Sequence, residues 1–233
     1  MRIIAMVLIL SCFVFLGSRF FESPPSTSTA LQQETENVGF KWAFGAMVGS
    51  GKDRKFVSVT RDTTLMSGDE IKMFVELTKD CFVYVIHSGP RGEIDLYFPY
   101  DLKDLNAGYK TATNYYLPKG RRWDKFDNNV GRESFYVLAA SDRLVELEAL
   151  LSSYLSADNS KRPPISEQII AEIRNVKKKF RTFTTLAEKP ITIGGNVRSL
   201  EKAEEARRPD VSTIATQISA NNFYSKSFTI DHK

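Results

Sequence analysis

Alternating apolar positions mark the first half of the chain beyond residue 37. Every second position from Val38 to Val48 is apolar, and a strand places such residues on one face. Further short apolar runs cover residues 56–59, 71–77, 82–87, 93–98, 115–117 and 134–140. Turn-forming residues such as Ser67, Gly68 and Asp69 separate these runs. The pattern predicts a mainly β fold, an antiparallel β-sandwich of the immunoglobulin-like type.

The apolar spacing becomes helical after residue 141. Leu144, Leu147 and Leu151 recur at helical spacing behind a polar start, which predicts a helix over residues 142–155. A second helix is predicted from Ser166, a third over residues 199–208, and a closing strand over residues 223–231. We therefore expect a β-sandwich domain made of residues 38–141 and 222–233. Residues 142–221 would form an α-helical insertion before the last strand.

The first 21 residues differ from the rest, because 16 are apolar and the charged residues among them are Arg2 and Arg19. This composition predicts a signal peptide or N-terminal anchor. Cleavage near Ala30, lipidation at Cys12 and retention as a short anchor all stay open. Residues 22–37 have the composition of a polar linker. We expect an exported protein of the periplasm or cell envelope.

Several short motifs between Leu65 and Ser141 occur in a characteristic order. They are Leu65–Asp69, Val83–Val85, Leu96–Pro99, Ala107–Gly108, Tyr116–Pro118, Gly131–Glu133 and Phe135–Ser141. In this order and spacing they resemble the bacterial domain-of-unknown-function family 4384. The resemblance implies an accessory module, found alone in exported proteins or appended to caspase-like peptidases and protein kinases. It therefore implies binding or scaffolding more than catalysis.

One stretch combines aromatic and basic residues in the way that binding surfaces do. The candidate binding residues are Tyr115, Tyr116, Arg121, Arg122, Trp123 and Phe126. Their side chains could stack on sugars, peptides or bases. The alternative is a loop that closes the open end of the sandwich, with its aromatic side chains buried.

A second candidate surface is basic. Residues 161–181 contain seven Lys or Arg and two acidic residues, and Arg174, Lys178 and Arg181 fall opposite the apolar face of the predicted helix. Such a face could contact anionic lipid headgroups, or it could simply be solvated. Because residues 22–160 carry a formal charge of −4, the chain does not have the composition of a general nucleic-acid binder.

The remaining residue chemistry suggests no catalytic centre, metal site or cofactor. His87 and His232 are too few for a metal site, and His87 is expected to be solvated before a turn. Glu93 and Asp95 are expected on a wet sheet face. Cys81 stands alone after the leader, which predicts a buried thiol and no intramolecular disulfide.

We therefore expect a non-enzymatic binding or scaffolding module with a protein or envelope component as its partner. The alternatives are a peripheral membrane protein that uses the basic helix and an enzyme with an unrecognised site.

Overall fold

The computed structural model describes residues 36–181, 186–190 and 208–233. Within these ranges the protein is mainly β, as the sequence predicts. The strands are β1 (Val38–Val48), β2 (Lys55–Ser58), β3 (Asp62–Leu65), β4 (Glu70–Leu77), β5 (Phe82–Ser88), β6 (Ile94–Phe98), β7 (Tyr115–Leu117), β8 (Asp124–Lys125), β9 (Gly131–Ala140), β10 (Leu186–Pro190), β11 (Thr216–Ala220) and β12 (Phe223–His232). The helices are α1 (Asp104–Ala107), α2 (Val145–Ser156) and α3 (Arg162–Phe180).

The strands form two sheets. The first has the order β10-β11-β1-β4-β7, with β2 beside β1 and β8 beside β4. The second has the order β3-β12-β9-β5-β6. The alternating residues of β1 pack against the second sheet, as the sequence predicts: the ring centroid of Phe44 lies 5.0 Å from that of Phe135 and 5.3 Å from that of Phe228. The main apolar core therefore lies between the sheets.

The second sheet is buried on both faces. Tyr84 of β5 and Leu138 of β9 point away from the first sheet and pack with Leu147 of α2 and Ile173 of α3. This explains why β5 is continuously apolar over residues 82–86 and β9 over residues 135–140, since strand segments covered on both sides show no polar alternation.

Two features differ from the predicted architecture. β3 pairs with β12 in parallel, so the second sheet is mixed although its other pairs are antiparallel. Residues 142–221 are not wholly helical, because β10 and β11 lie within them and β11 pairs with β1 in the first sheet. Such short strands have too few residues for their periodicity to be recognised, and pairing with β1 stabilises β11. Residues 199–207 of the predicted third helix lie outside the described residues.

Two turn residues hold the strand ends in place. The buried carboxylate of Asp69 accepts hydrogen bonds from the backbone amides of Met66, at 2.8 Å, and Gly49, at 2.9 Å. Gly131, at the start of β9, has a φ of +149°, and a Cβ atom there would lie 2.7 Å from the Cβ of Pro90. Glycine thus lets the 88–92 turn approach β9, beside the cleft described next.

Candidate functional site

A polar cleft lies where β4 and β8 of the first sheet approach β5, β6 and β9 of the second. Its volume is about 260 Å³. The lining residues include five carboxylates, Glu93, Asp95, Asp124, Asp127 and Glu133. The aromatic walls are Tyr97, Phe126 and Phe135. We call this site the acidic cleft.

His87 lines the acidic cleft and is not solvated as expected, because its side chain is only 12% exposed. Its Nδ1 atom lies 3.1 Å from Oδ2 of Asp95, Nε2 makes a short contact with Glu133, and the ring stacks on Phe135. Burial alone lowers the pKa of His87, but the hydrogen bonds and charges of the two carboxylates outweigh it and raise the pKa to about 9. His87 is therefore an imidazolium at neutral pH.

The hydrogen-bonded chain continues through Glu133 to the C-terminal strand. The second carboxylate oxygen of Glu133 lies 3.3 Å from Nδ1 of His232, and Nε2 of His232 lies 3.1 Å from Oγ of Ser67. Ser67, His232 and Glu133 follow the order of a nucleophile, base and acid. However, the amide of Ser67 donates to the Lys233 carbonyl and that of Gly68 to the Phe126 carbonyl, so neither amide is available for an oxyanion.

The charge of the cleft favours a cationic ligand. Against the five carboxylates, the lining contains two cations, Lys125 and the protonated His87. Arg122 adds a third at the margin, with its Nη2 atom 3.4 Å from Oδ1 of Asp124. Burial raises the pKa of Tyr97, and a hydrogen bond to Asp124 raises it further, so this wall stays a neutral phenol. The excess of negative charge in a partly enclosed site attracts a positively charged group.

The predicted aromatic and basic stretch is largely packed into the fold. Tyr115 lies against Phe98, and the hydroxyl of Tyr116 donates to Asp210 at 3.0 Å. Trp123 and Phe126 are each only 8% exposed. These aromatic side chains therefore form no exposed stacking platform.

The other members of that stretch differ in position. Arg121 and Arg122 are exposed, and Phe126 forms one wall of the acidic cleft. Any binding role of this stretch therefore rests on the two arginines and on Phe126.

Lys72 explains why this loop has its shape. Its buried Nζ atom donates to the carbonyls of Pro118 at 2.6 Å, Gly120 at 2.8 Å and Arg122 at 2.5 Å. Three acceptors match the three protons of an ammonium group. Sequence reasoning did not single out Lys72, because its position in an alternating strand is that of a solvated polar residue.

The basic segment lies on α3, as the sequence predicts. Ile169, Ile173 and Val176 are buried, whereas Arg174 and Lys178 are exposed. Arg181, directly after the helix, is also exposed. None of the helices in the described part of the chain is long and apolar enough to cross a membrane.

Two further findings concern cysteine and metal chemistry. Cys81 is a free, buried thiol, as predicted, and burial raises its pKa. Across residues 36–181, 186–190 and 208–233, no three His, Cys, Asp or Glu side chains are grouped as a metal ion would require.

Comparison with known proteins now adds to this geometry. The model of a family described as a domain of unknown function (DUF4384) matches residues 64–143, about a third of the chain. The resemblance read from the sequence is confirmed. Every residue that lines the acidic cleft lies within the DUF4384 match, whereas α3 lies outside it. No curated protein and no solved structure matches the chain.

Sequence reasoning noticed several cleft residues but assigned them other roles. Asp95 is exposed, as expected on a solvated sheet face, whereas His87 is mostly buried, and both line the cleft together with Glu93. The sequence offered one signal: His87 lies near the end of one strand of the family segment, and Glu93 and Asp95 follow after a short turn. Glu133 and His232 are 99 residues apart, and no local pattern links them.

Proposed function

We propose that the protein is an exported, non-enzymatic binding module of the bacterial cell envelope, built on an immunoglobulin-like sandwich, whose acidic cleft receives a cationic group of its partner. Export is supported by the composition of residues 1–21 and by the polar linker after them. The sandwich is supported by the single apolar core between the two sheets.

The observation that carries the binding role is the acidic cleft itself. Its five carboxylates outnumber its two cations, and its aromatic walls can pack against the apolar stem of a lysine or arginine side chain. A volume of about 260 Å³ suits one such side chain and not a whole folded segment. A protein partner that presents an exposed Lys or Arg has the complementary chemistry.

A binding role is also favoured over catalysis by the engagement of the polar groups. His87 is held between Asp95 and Glu133, and the amides beside Ser67 are hydrogen-bonded. Groups that are satisfied in this way hold a site in shape, whereas proton transfer needs a group within reach of a substrate.

The test is a titration followed by amide chemical shifts in two-dimensional NMR. The probes are Nα-acetyl-arginine amide, Nα-acetyl-lysine amide and the neutral analogue Nα-acetyl-citrulline amide. We expect saturable shifts at cleft residues with the cationic probes only. Replacing Asp124→Asn together with Asp127→Asn should weaken binding by about fivefold to tenfold, because two carboxylates near the ligand are lost.

The matched control is Asp101→Asn with Asp158→Asn, which removes the same charge at exposed positions outside the cleft. Unchanged affinity in the control supports the proposal. Equal shifts with citrulline, or an equal loss in the control, would contradict it.

A further inference from the structure

α3 presents a cationic face that has no ion-pair partner among the described residues. Arg174, Lys178 and Arg181 make no ion pair with any residue in the described ranges. Their neighbour Lys177, by contrast, is half-buried and donates to Oγ of Ser227 at 3.0 Å. We call Arg174, Lys178 and Arg181 the cationic face.

The cationic face is held rigidly by the packing of the helix. Ile169, Ile173 and Val176 of α3 belong to the apolar cluster that covers the outer side of the second sheet. Residues i, i+4 and i+7 lie along one line of a helix, so the three cations follow one another over about 10 Å. The charges are therefore presented together on one side of the domain.

Among the residues that the structure describes, the acidic side chains near α3 do not neutralise the cationic face. A hollow of about 480 Å³ between α2 and α3 is lined by Asp142, Glu146 and Glu172. Lys179 is the basic residue of α3 that lines this hollow, and the residues of the cationic face do not. Glu167 lies on the same side of α3 as the cationic face, but it is seven residues before Arg174 and therefore about 10 Å away along the helix. At physiological salt, attraction between exposed charges is largely screened over this distance.

Helix stability alone does not explain the arrangement. Cations in the last turn interact favourably with the helix dipole, which accounts for Lys177 to Lys179. Arg174 lies before that turn, and like charges four residues apart, as in Arg174 and Lys178, destabilise a helix slightly.

We propose that the cationic face docks on the anionic headgroups of a phospholipid surface. A flat, charged surface can engage all three side chains at once, and each cation strengthens such binding by about fivefold. A nucleic acid fits less well, because the face offers no aromatic side chain for stacking: Phe180 is stacked on Phe223 instead.

The test is sedimentation with vesicles of phosphatidylcholine, with and without phosphatidylglycerol, at low and high salt. Residues 34–233 are used, because they form one compact unit that contains the described apolar clusters, and the predicted leader would insert into any vesicle. We expect salt-sensitive binding to the anionic vesicles only. Arg174→Gln with Lys178→Gln should weaken it by about 25-fold.

The control is Lys52→Gln with Lys103→Gln, which removes two exposed cations elsewhere and should change binding by less than about twofold. Thermal unfolding of all three proteins checks that the fold is retained. An equal loss in both double variants, equal binding to neutral vesicles, or no vesicle binding would overturn the proposal. Binding of duplex DNA through Arg174 and Lys178 without vesicle binding would overturn it too and assign the face to nucleic acid.

Discussion

His87 should make the stability of the fold depend on pH, and the size of the effect follows from its surroundings. The native imidazole lies between Asp95 and Glu133 and has a pKa of about 9, against an ordinary value of 6.5. Between these two pH values the native state holds a proton that the unfolded chain has released. Stability from this group is therefore complete below about pH 6.5 and is lost as pH rises to about 9.

The magnitude follows from the difference between the two pKa values. Each unit is equivalent to about 1.4 kcal/mol, so the whole shift corresponds to about 3 kcal/mol. Because the His87 side chain is only 12% exposed, screening by solvent reduces this value little. Lys72 also titrates in part of this pH range, because burial lowers its pKa to about 8, and its contribution to stability has the opposite sign. Lys72 is present in both the wild type and the variant, so its contribution cancels in the comparison.

The assay is urea unfolding of the wild type and of His87→Gln from about pH 6 to about pH 10. We expect the stability difference between them to shrink by about 3 kcal/mol over this range. Asp95→Asn removes the charge of the more exposed partner of His87. The pKa of His87 should then be lower, so the range of pH over which stability is lost should be narrower. A difference that stays constant within about 0.5 kcal/mol would refute the reasoning, because the imidazole would then carry the same charge in both states.

The loop around the predicted binding stretch allows two further predictions. Trp123→Ala should lower the free energy of unfolding by about 3 kcal/mol, because the indole is buried edge-on against Phe56, with 6.2 Å between the ring centroids. The control, Arg121→Gln with Arg122→Gln, should change the free energy of unfolding by less than about 0.5 kcal/mol. Both are measured by urea unfolding, and a small loss for Trp123→Ala would contradict the packing. Lys72→Met should lower the free energy of unfolding by about 2–4 kcal/mol, because three backbone carbonyls lose their hydrogen-bond donor. Thermal unfolding should therefore show a lower Tm for Lys72→Met, whereas the control Lys125→Met, at an exposed position, should leave Tm unchanged.

Local periodicity was enough to predict most strands and the two long helices α2 and α3, but not the four-residue α1. β1 has its predicted bounds, and α2 and α3 begin within a few residues of the predicted starts. Such elements are recognised because the side-chain repeat of a strand or helix is set over a few neighbouring residues. The burial of Cys81 was predictable for the same reason, since it borders an apolar run.

The acidic cleft was not predictable, because its residues come from strands that are distant along the chain. His87 and Glu133 are 46 residues apart, and the expectation of a solvated His87 was wrong because β9 places Glu133 beside it. The aromatic stretch was misleading for a related reason. An aromatic side chain in a loop looks alike in sequence whether it faces solvent or, like Trp123, packs inward.

The sequence by itself determined the mainly β class, the basic segment of α3 and the relation to DUF4384, because these depend on composition, short-range spacing and ordered motifs. Only the tertiary structure decided that β10 and β11, within residues 142–221, join the first sheet, and that five carboxylates line one cleft with His87. Strand pairing and charge clustering are properties of distances in space, and those distances exist only once the two sheets have packed together.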